Sequence, residues 1–416
     1  MDMNKRSFLS LFALIVLLST SAPTAFAATK KPTTTAATTF EVSGWIPYWR
    51  TEAGTADTIP HLSQLTEVNP FGYTVKSDGT LNDAANIKSS SWQKLIKEAR
   101  AKKVRVVPTV MWSDTASIHR ILSDSKLRAK HIKSIVSVVK ENNFDGIDID
   151  YEGKLAEDKD NYSAFLKELS AEFAKDKANK WLMCTIEART PPDSLYSNPS
   201  AVNIQYANDF TAINTYCDRV RLMTYDQQTA DIKLNAAHKK ELYAPIADPE
   251  WVKKVVALTT QTIDKKKLVL GIATYGYIYQ VMPYSDASGY SYTKLEAFNP
   301  KYGVDTAAAN GITPTRNAAG ELSFTYVPKS TVSALPSNSV LSALAPKGTN
   351  SGNLAAAGAL ALAKTKGKQA PVQLLWWSDA QAIKDKVVLA KKLGLRGVAV
   401  FKFDGGQDPQ MWSVLK

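Results

Sequence analysis

The chain has 416 residues, of which 44% are hydrophobic and 22% are charged, and its formal net charge is +12. This length and composition are typical of a globular protein with a large core, and they argue against a disordered chain. The basic residues are scattered rather than interleaved with aromatic residues, which argues against a nucleic-acid-binding protein.

The first 27 residues have the layout of a secretory signal peptide. Lys5 and Arg6 precede an apolar run over residues 8–18, and A-F-A at residues 25–27 fits a cleavage site. We therefore expect a secreted or cell-wall-associated protein with no stable membrane span after cleavage. An uncleaved anchor is the alternative. Residues 28–39, rich in Thr, Ala and Lys, are predicted to be a low-complexity linker.

From residue 40 onward, strand-like segments alternate with segments of helical spacing, which predicts a parallel sheet closed into a TIM (β/α)₈ barrel. The predicted strands are residues 41–49, 65–75, 104–111, 144–153, 181–187, 220–225, 268–275 and 397–403. A helix is predicted at 380–393, so about a hundred residues separate the seventh strand from its helix.

The stretch from Phe144 to Gly153, F-D-G-I-D-I-D-Y-E-G, is the most informative. In a strand, Asp148, Asp150 and Glu152 share one face, where their mutual repulsion raises at least one pKa and marks a candidate working site. A calcium loop is an alternative, but its twelfth position would be a lysine instead of a glutamate. A solvated acidic turn, the other alternative, leaves the alternation with apolar residues unexplained.

A second motif, R-L-M-T-Y-D, ends the sixth predicted strand with Tyr225 and Asp226. Taken alone, such a pair is more often a packing or capping pair. The acidic stretch matches the pattern D-x-x-D-x-D-x-E, and the second motif matches M-x-Y-D. Together they resemble glycoside hydrolase family 18, the chitinase-like enzymes. Residues 243–252 are similar to the bacterial branch of cell-wall and spore-cortex N-acetylglucosaminidases.

The resemblance implies a retaining hydrolase of β-linked N-acetylglucosamine glycans, either chitin and its oligomers or peptidoglycan, with no cofactor and no metal. It implies Glu152 as acid and base, Asp150 and Tyr225 as partners of the substrate acetamide, and Asp148 sharing a proton with Asp150. Asp226 and Met223 are then expected to bind substrate. The resemblance also implies an α+β insertion domain at 277–371, between barrel segments 40–276 and 372–416. We expect a monomer.

Sugar rings stack on flat aromatic faces, so exposed tryptophans near strand ends are candidate platforms, although a core position is equally compatible with each. The candidates are Trp45, Trp49, Trp112, Trp376 and Trp377, of which Trp112 is the best aligned with the family. Phe401 occupies the place where the family usually has a Trp. Residues 108–111 (P-T-V-M) replace the family's S-x-G-G, and both departures weaken the case for chitin.

Cys184 and Cys217 lack metal-ligand spacing. They either form a disulfide in an oxidising compartment or remain two buried thiols. Two further functions stay open from the sequence: a non-catalytic carbohydrate-binding barrel and a transglycosylase. The intact acidic motif argues against the first of these.

Overall fold

The computed structural model describes residues 39–176, 179–239, 241–328 and 336–415. The predicted signal peptide and residues 28–38 of the predicted linker lie outside them. Among the described residues, no helix is long and apolar enough to cross a bilayer.

The strands, in chain order, are β1 (Glu41–Pro47), β2 (Glu67–Val75), β3 (Leu81–Asp83), β4 (Arg105–Val106), β5 (Thr109–Trp112), β6 (Gly146–Tyr151), β7 (Trp181–Glu187), β8 (Arg219–Met223), β9 (Leu268–Ala273), β10 (Gly276–Pro283), β11 (Tyr290–Phe298), β12 (Thr315–Arg316), β13 (Leu322–Tyr326), β14 (Val372–Trp377) and β15 (Gly397–Phe401). The α-helices are α1 (Thr51–Thr58), α2 (Ser90–Ala101), α3 (Thr115–Ser123), α4 (Ser125–Glu141), α5 (Lys159–Ala174), α6 (Pro192–Leu195), α7 (Phe210–Tyr216), α8 (Ile232–Ala237), α9 (Pro249–Thr259), α10 (Pro300–Ala309), α11 (Asn338–Leu344), α12 (Leu354–Lys366), α13 (Ala380–Lys392) and α14 (Met411–Val414).

Eight parallel strands close into a barrel, as the sequence predicts. The order is β1, β2, β5, β6, β7, β8, β9 and β15, and β1 pairs with both β2 and β15. The predicted strand at 104–111 is interrupted: β4 and β5 flank Pro108, which has no N–H to donate to a neighbouring strand. Because the eight strands are parallel, their carboxyl ends all lie at one mouth of the barrel.

A second, antiparallel sheet is inserted between β9 and α13, with the order β11, β10, β14, β13, β12. The predicted limits of 277–371 do not match this sheet. It begins with β10 at Gly276 and includes β14, because β14 pairs with both β10 and β13. The Ala-rich segment at residues 351–368 contains helix α12.

Glu321, next to β13, joins the second sheet to the barrel. Its fully buried carboxylate accepts hydrogen bonds from Ile246 N (2.8 Å), Ala247 N (3.1 Å) and Trp376 Nε1 (2.7 Å). Lys386 of α13 supplies the balancing positive charge, with Nζ 3.0 Å from Oε1. A buried charge with this many partners fixes the second sheet against the barrel mouth.

Cys184 on β7 and Cys217 after α7 are bonded to each other, which settles the alternative that the sequence left open. Both are buried, and the bridge closes a sequence separation of 33 residues. It ties the segment that leads into β8 to the neighbouring strand.

Candidate active site

Strand β6 places its acidic residues as the alternation predicts. Ile147, Ile149 and Tyr151 are fully buried in the core between barrel and helices. Asp148 and Asp150 are on the opposite, inward face, and Glu152 follows at the barrel mouth. Because these residues form a buried barrel strand, the calcium-loop alternative is wrong. Among the described residues, no cluster of His, Cys, Asp and Glu is arranged to hold a metal ion.

Asp148 lies at the centre of the barrel and is engaged from four sides. Oδ2 accepts from Trp45 Nε1 (3.1 Å) and Thr109 Oγ1 (2.8 Å), and Oδ1 accepts from Thr185 Oγ1 (2.8 Å). Arg221 Nη1 is 2.9 Å from Oδ2, so Asp148 and Arg221 form a buried ion pair. The proton that Asp148 is predicted to share with Asp150 stays a prediction.

Asp150 lies two residues after Asp148 on β6 and has far fewer polar contacts. It is 4% exposed, and its Oδ1 atom has no hydrogen-bond partner among the described residues. Burial raises the pKa of Asp150 well above its usual range, and the negative charges of Glu152 and Asp148 raise it further, against Lys154. Asp150 thus combines a raised pKa with an oxygen that lacks a hydrogen-bond partner among the described residues.

Glu152 is anchored through its backbone, since its N–H donates to Trp112 O (2.8 Å), while its side chain is open to the cleft. Partial desolvation by the cleft walls raises the pKa of Glu152, as does the negative charge of Glu187, while Lys154 opposes the rise. A carboxyl group with a raised pKa at the mouth can donate a proton near neutral pH.

Tyr225 and Asp226 follow β8, which is separated from β6 by one strand, β7. Burial raises the pKa of the Tyr225 hydroxyl well above its usual range, helped by the negative charge of Asp150, so this group remains a hydrogen-bond donor. Asp226 Oδ1 accepts from Tyr275 Oη (2.7 Å) and Tyr277 Oη (2.9 Å). Met223, half-buried, ends β8 on the same inward face as Arg221.

Phe401, at the end of β15, is the centre of an aromatic floor. Its ring is 6.0 Å from that of Tyr225 and nearly parallel to it, and it makes edge contacts with Trp45 (5.9 Å), Phe71 (5.7 Å) and Tyr275 (6.2 Å). A cavity of about 360 Å³ opens above this floor. Its lining includes Asp226, Tyr275, Tyr277, Phe298, Asn299 and Phe401.

Trp49 is positioned as a platform should be. It lies in a 3₁₀ turn after β1, is 50% exposed, and contacts Phe71 edge-on at 5.9 Å. Its role in substrate binding stays a prediction.

The platform predictions for Trp112 and Trp377 are wrong. Trp112 is 5% exposed, donates to Ser117 Oγ (3.0 Å) and packs on Tyr151, because it pairs with Tyr151 in register and shares its outward face. Trp377 is 1% exposed and packs between Phe298 and Phe324 in the second sheet.

The two remaining tryptophan candidates are also buried. Trp45 is occupied by its bond to Asp148, and Trp376 by its bond to Glu321. Neither therefore offers a free face to a sugar.

Sequence reasoning missed Arg221, Lys154 and Glu187. Arg221 is a charged residue on the inward face of a buried strand, two positions before Met223, and that position alone could have indicated a partner for an acidic residue. Lys154 and Glu187 lie just after β6 and at the end of β7, where barrel enzymes place functional groups.

The sequence profile of glycosyl hydrolases family 18 matches residues 43–406. The uncharacterized glycosylase YvbX of Bacillus subtilis (strain 168) is 20% identical over 297 residues, which cover 71% of this chain and 68% of that protein. The spore cortex-lytic enzyme SleL of Bacillus cereus shares the fold with a TM-score of 0.63 and 18% identity, over 90% of this chain and 73% of that one. A class V chitinase from Pseudomonas fluorescens Pf-5 shares the fold with a TM-score of 0.66 and 20% identity, over 90% of this chain and 98% of that one. The chain therefore belongs to glycosyl hydrolases family 18 and is a glycoside hydrolase built on a TIM barrel.

Proposed function

We propose that this protein is an exported, retaining hydrolase of β-linked N-acetylglucosamine glycans that uses the substrate's own acetamide as nucleophile. The observation that carries the proposal is the pairing of a proton donor, Glu152, with the buried Asp150 and the Tyr225 hydroxyl at one barrel mouth.

In this mechanism Glu152 protonates the glycosidic oxygen as the bond breaks. The acetamide oxygen of the same sugar attacks the anomeric carbon and forms a cyclic oxazolinium ion. Asp150 accepts a hydrogen bond from the acetamide N–H at its free Oδ1, which stabilises the positive charge that develops on the acetamide. Tyr225 donates to the acetamide oxygen. Glu152, now a carboxylate, then activates water to open the ring with net retention.

A direct nucleophilic carboxylate is the competing mechanism, and the site geometry disfavours it. Asp150 and Glu152 come from one strand, about 6.6 Å apart along it, so they do not flank a sugar from opposite sides. Burial also raises the pKa of Asp150, which favours its protonated form, and a protonated carboxyl group is a poor nucleophile. Substrate assistance removes the need for such a group.

The wall glycan peptidoglycan is our preferred substrate over chitin, since Phe401 offers less stacking area than the Trp expected there. The disulfide between Cys184 and Cys217 supports export, because such bonds persist in oxidising compartments.

Product analysis by mass spectrometry tests the proposal. Purified protein is incubated separately with chitin oligomers and with purified peptidoglycan, and a Glu152→Gln variant is the control. We expect soluble fragments with N-acetylglucosamine at the new reducing end from at least one substrate. Intact substrate in both reactions, with folded enzyme, would contradict the proposed function.

The raised pKa of Glu152 predicts the pH dependence. Glu152 must be protonated to act as acid, so kcat should fall as pH rises through its raised pKa, later than for an ordinary glutamate. Glu187→Gln removes a charge that raises this pKa, so the alkaline fall in kcat should move to lower pH. The matched control Glu250→Gln alters an exposed carboxylate on α9 paired with Lys253. Identical pH profiles for Glu187→Gln and wild type would contradict this account.

A further inference from the structure

A second cavity opens beside Glu152, at the carboxyl ends of β6 and β7. It has a volume of about 270 Å³ and is lined mainly by polar residues. These residues are Lys154, Glu187, Arg189, Gln205, Tyr206 and Asn208. The mechanism derived above assigns no ligand to this cavity.

Three polar atoms of this cavity lack hydrogen-bond partners. They are Lys154 Nζ, Tyr206 Oη and Asn208 Oδ1, each buried and without a hydrogen-bond partner among the residues that the structure describes. Lys154 Nζ is 3.6 Å from Glu187 Oε1 and 4.9 Å from the ring centroid of Tyr162. The Lys154 side chain is only 1% exposed, so water reaches its ammonium group poorly. Folded proteins rarely leave buried polar groups unpaired, and three of them around one cavity indicate a polar ligand.

The residues that line the cavity carry two cations, Lys154 and Arg189, and one carboxylate, Glu187. Glu187 Oε1 is 3.6 Å from Lys154 Nζ, and the other oxygen of Glu187 accepts from Asn208 Nδ2 at 2.7 Å. Asp150 and Glu152 do not line the cavity but also attract Lys154, so the excess of positive charge is confined to the lining residues.

Arg189 is rigidly held in this cavity. Its guanidinium lies 3.5 Å from the ring centroid of Tyr206 and 3.9 Å from that of Phe210, and Nη2 donates to Asn208 O at 2.9 Å. Burial lowers the pKa of both Lys154 and Arg189, which an incoming anion would offset.

We propose that this cavity binds a carboxylate group carried by the glycan close to the cleaved bond, with Lys154 Nζ and Tyr206 Oη as its donors. The ligand class is an acidic amino sugar, such as an N-acetylglucosamine unit bearing an O-lactyl group. Asn208 Oδ1 would accept from a neighbouring hydroxyl or amide of the same sugar. This inference rests on the proposed function and narrows its substrate class.

The test measures binding separately from turnover, by isothermal titration calorimetry on full-length Glu152→Gln. The ligands are a tetrasaccharide of alternating N-acetylglucosamine and N-acetylmuramic acid with free carboxylates, its methyl ester, and the neutral N-acetylglucosamine tetramer. A charge-assisted contact predicts that the acid binds about 10-fold to 100-fold more tightly than its ester.

Adding Lys154→Met should abolish the preference for the acid over the ester, and adding Lys154→Arg should keep most of it. Lys130→Met is the control, since it removes an exposed lysine of α4 paired with Asp78 and should leave the preference intact. Equal affinities of acid and ester in the Glu152→Gln protein would overturn the carboxylate assignment. So would an equal loss of acid and ester binding on Lys154→Met, which a purely structural lysine would give. Failure of the wild-type enzyme to cleave any of the three ligands would instead contradict the proposed function.

Discussion

Replacing Glu152 by glutamine should lower kcat by at least about 10²–10⁴-fold, the usual worth of general acid catalysis. The loss should exceed that range because the same carboxyl group also activates water in the second step. Glutamine has nearly the same shape, so the fold and oligosaccharide binding should be preserved. Steady-state kinetics on N-acetylglucosamine oligomers and binding calorimetry measure both quantities.

Glu157→Gln is the matched control for this change, because Glu157 lies on the same loop and its side chain is 67% exposed. It should leave kcat within about twofold, as expected of surface substitutions. Turnover by purified Glu152→Gln at a rate near that of the wild type would remove Glu152 from the mechanism.

Arg221→Met should lower the free energy of unfolding by about 3–5 kcal/mol, as expected when one partner of a buried ion pair is removed. Arg221 is 1% exposed and lies between Asp148 and Glu67, both of them also buried. Without it, Asp148 retains neutral donors but has no cation within ion-pair distance among the described residues. Urea unfolding followed by circular dichroism measures the change.

Arg316→Met provides the comparison, since Arg316 makes a bidentate bond to Asp379 at the surface. Its loss should cost only about 0–1 kcal/mol. Arg221→Met combined with Asp148→Asn should recover part of the stability, because the second change removes the unpaired charge. Equal losses for Arg221→Met and Arg316→Met would show that the buried pair is not a stabilising element.

The barrel and the acidic strand were predictable because both produce a regular pattern of apolar and polar residues in the sequence. Eight apolar runs alternating with helical spacing specify a parallel barrel, and the alternation of Asp148 and Asp150 with Ile147 and Ile149 assigns each to one face of β6. The boundaries of the second sheet were not predictable, because whether β14 joins the barrel or the second sheet depends on its pairing with distant β10 and β13.

The tryptophan predictions show that residue type alone does not distinguish a core position from a sugar-binding platform. An aromatic side chain serves equally as core or as platform, and a shift of one residue along a strand exchanges the two faces. Trp112 pairs with Tyr151 and so faces the helices, whereas its neighbour Met111 pairs with Asp150 and faces the barrel interior. Trp49 lies in the turn after β1, so the alternation of strand faces does not determine where its side chain lies.

The electrostatic partners were missed for a related reason. Arg221 contacts Asp148 from a different strand of the barrel, and no sequence spacing encodes such a distance. Lys154 follows Glu152 by two residues, but its electrostatic effect on Glu152 depends on how the chain folds after β6. The different environments of Asp148 and Asp150 follow from these contacts and from burial.

Proton NMR of the first-formed anomer, with intact-mass analysis of the enzyme during turnover, tests substrate assistance most directly. On a β-linked N-acetylglucosamine oligomer, attack by the acetamide must give the β anomer first, and the protein mass must stay unchanged. An analogue without the N-acetyl group should be almost inert. An α anomer as first product, or a glycosyl adduct on Asp150, would contradict the mechanism.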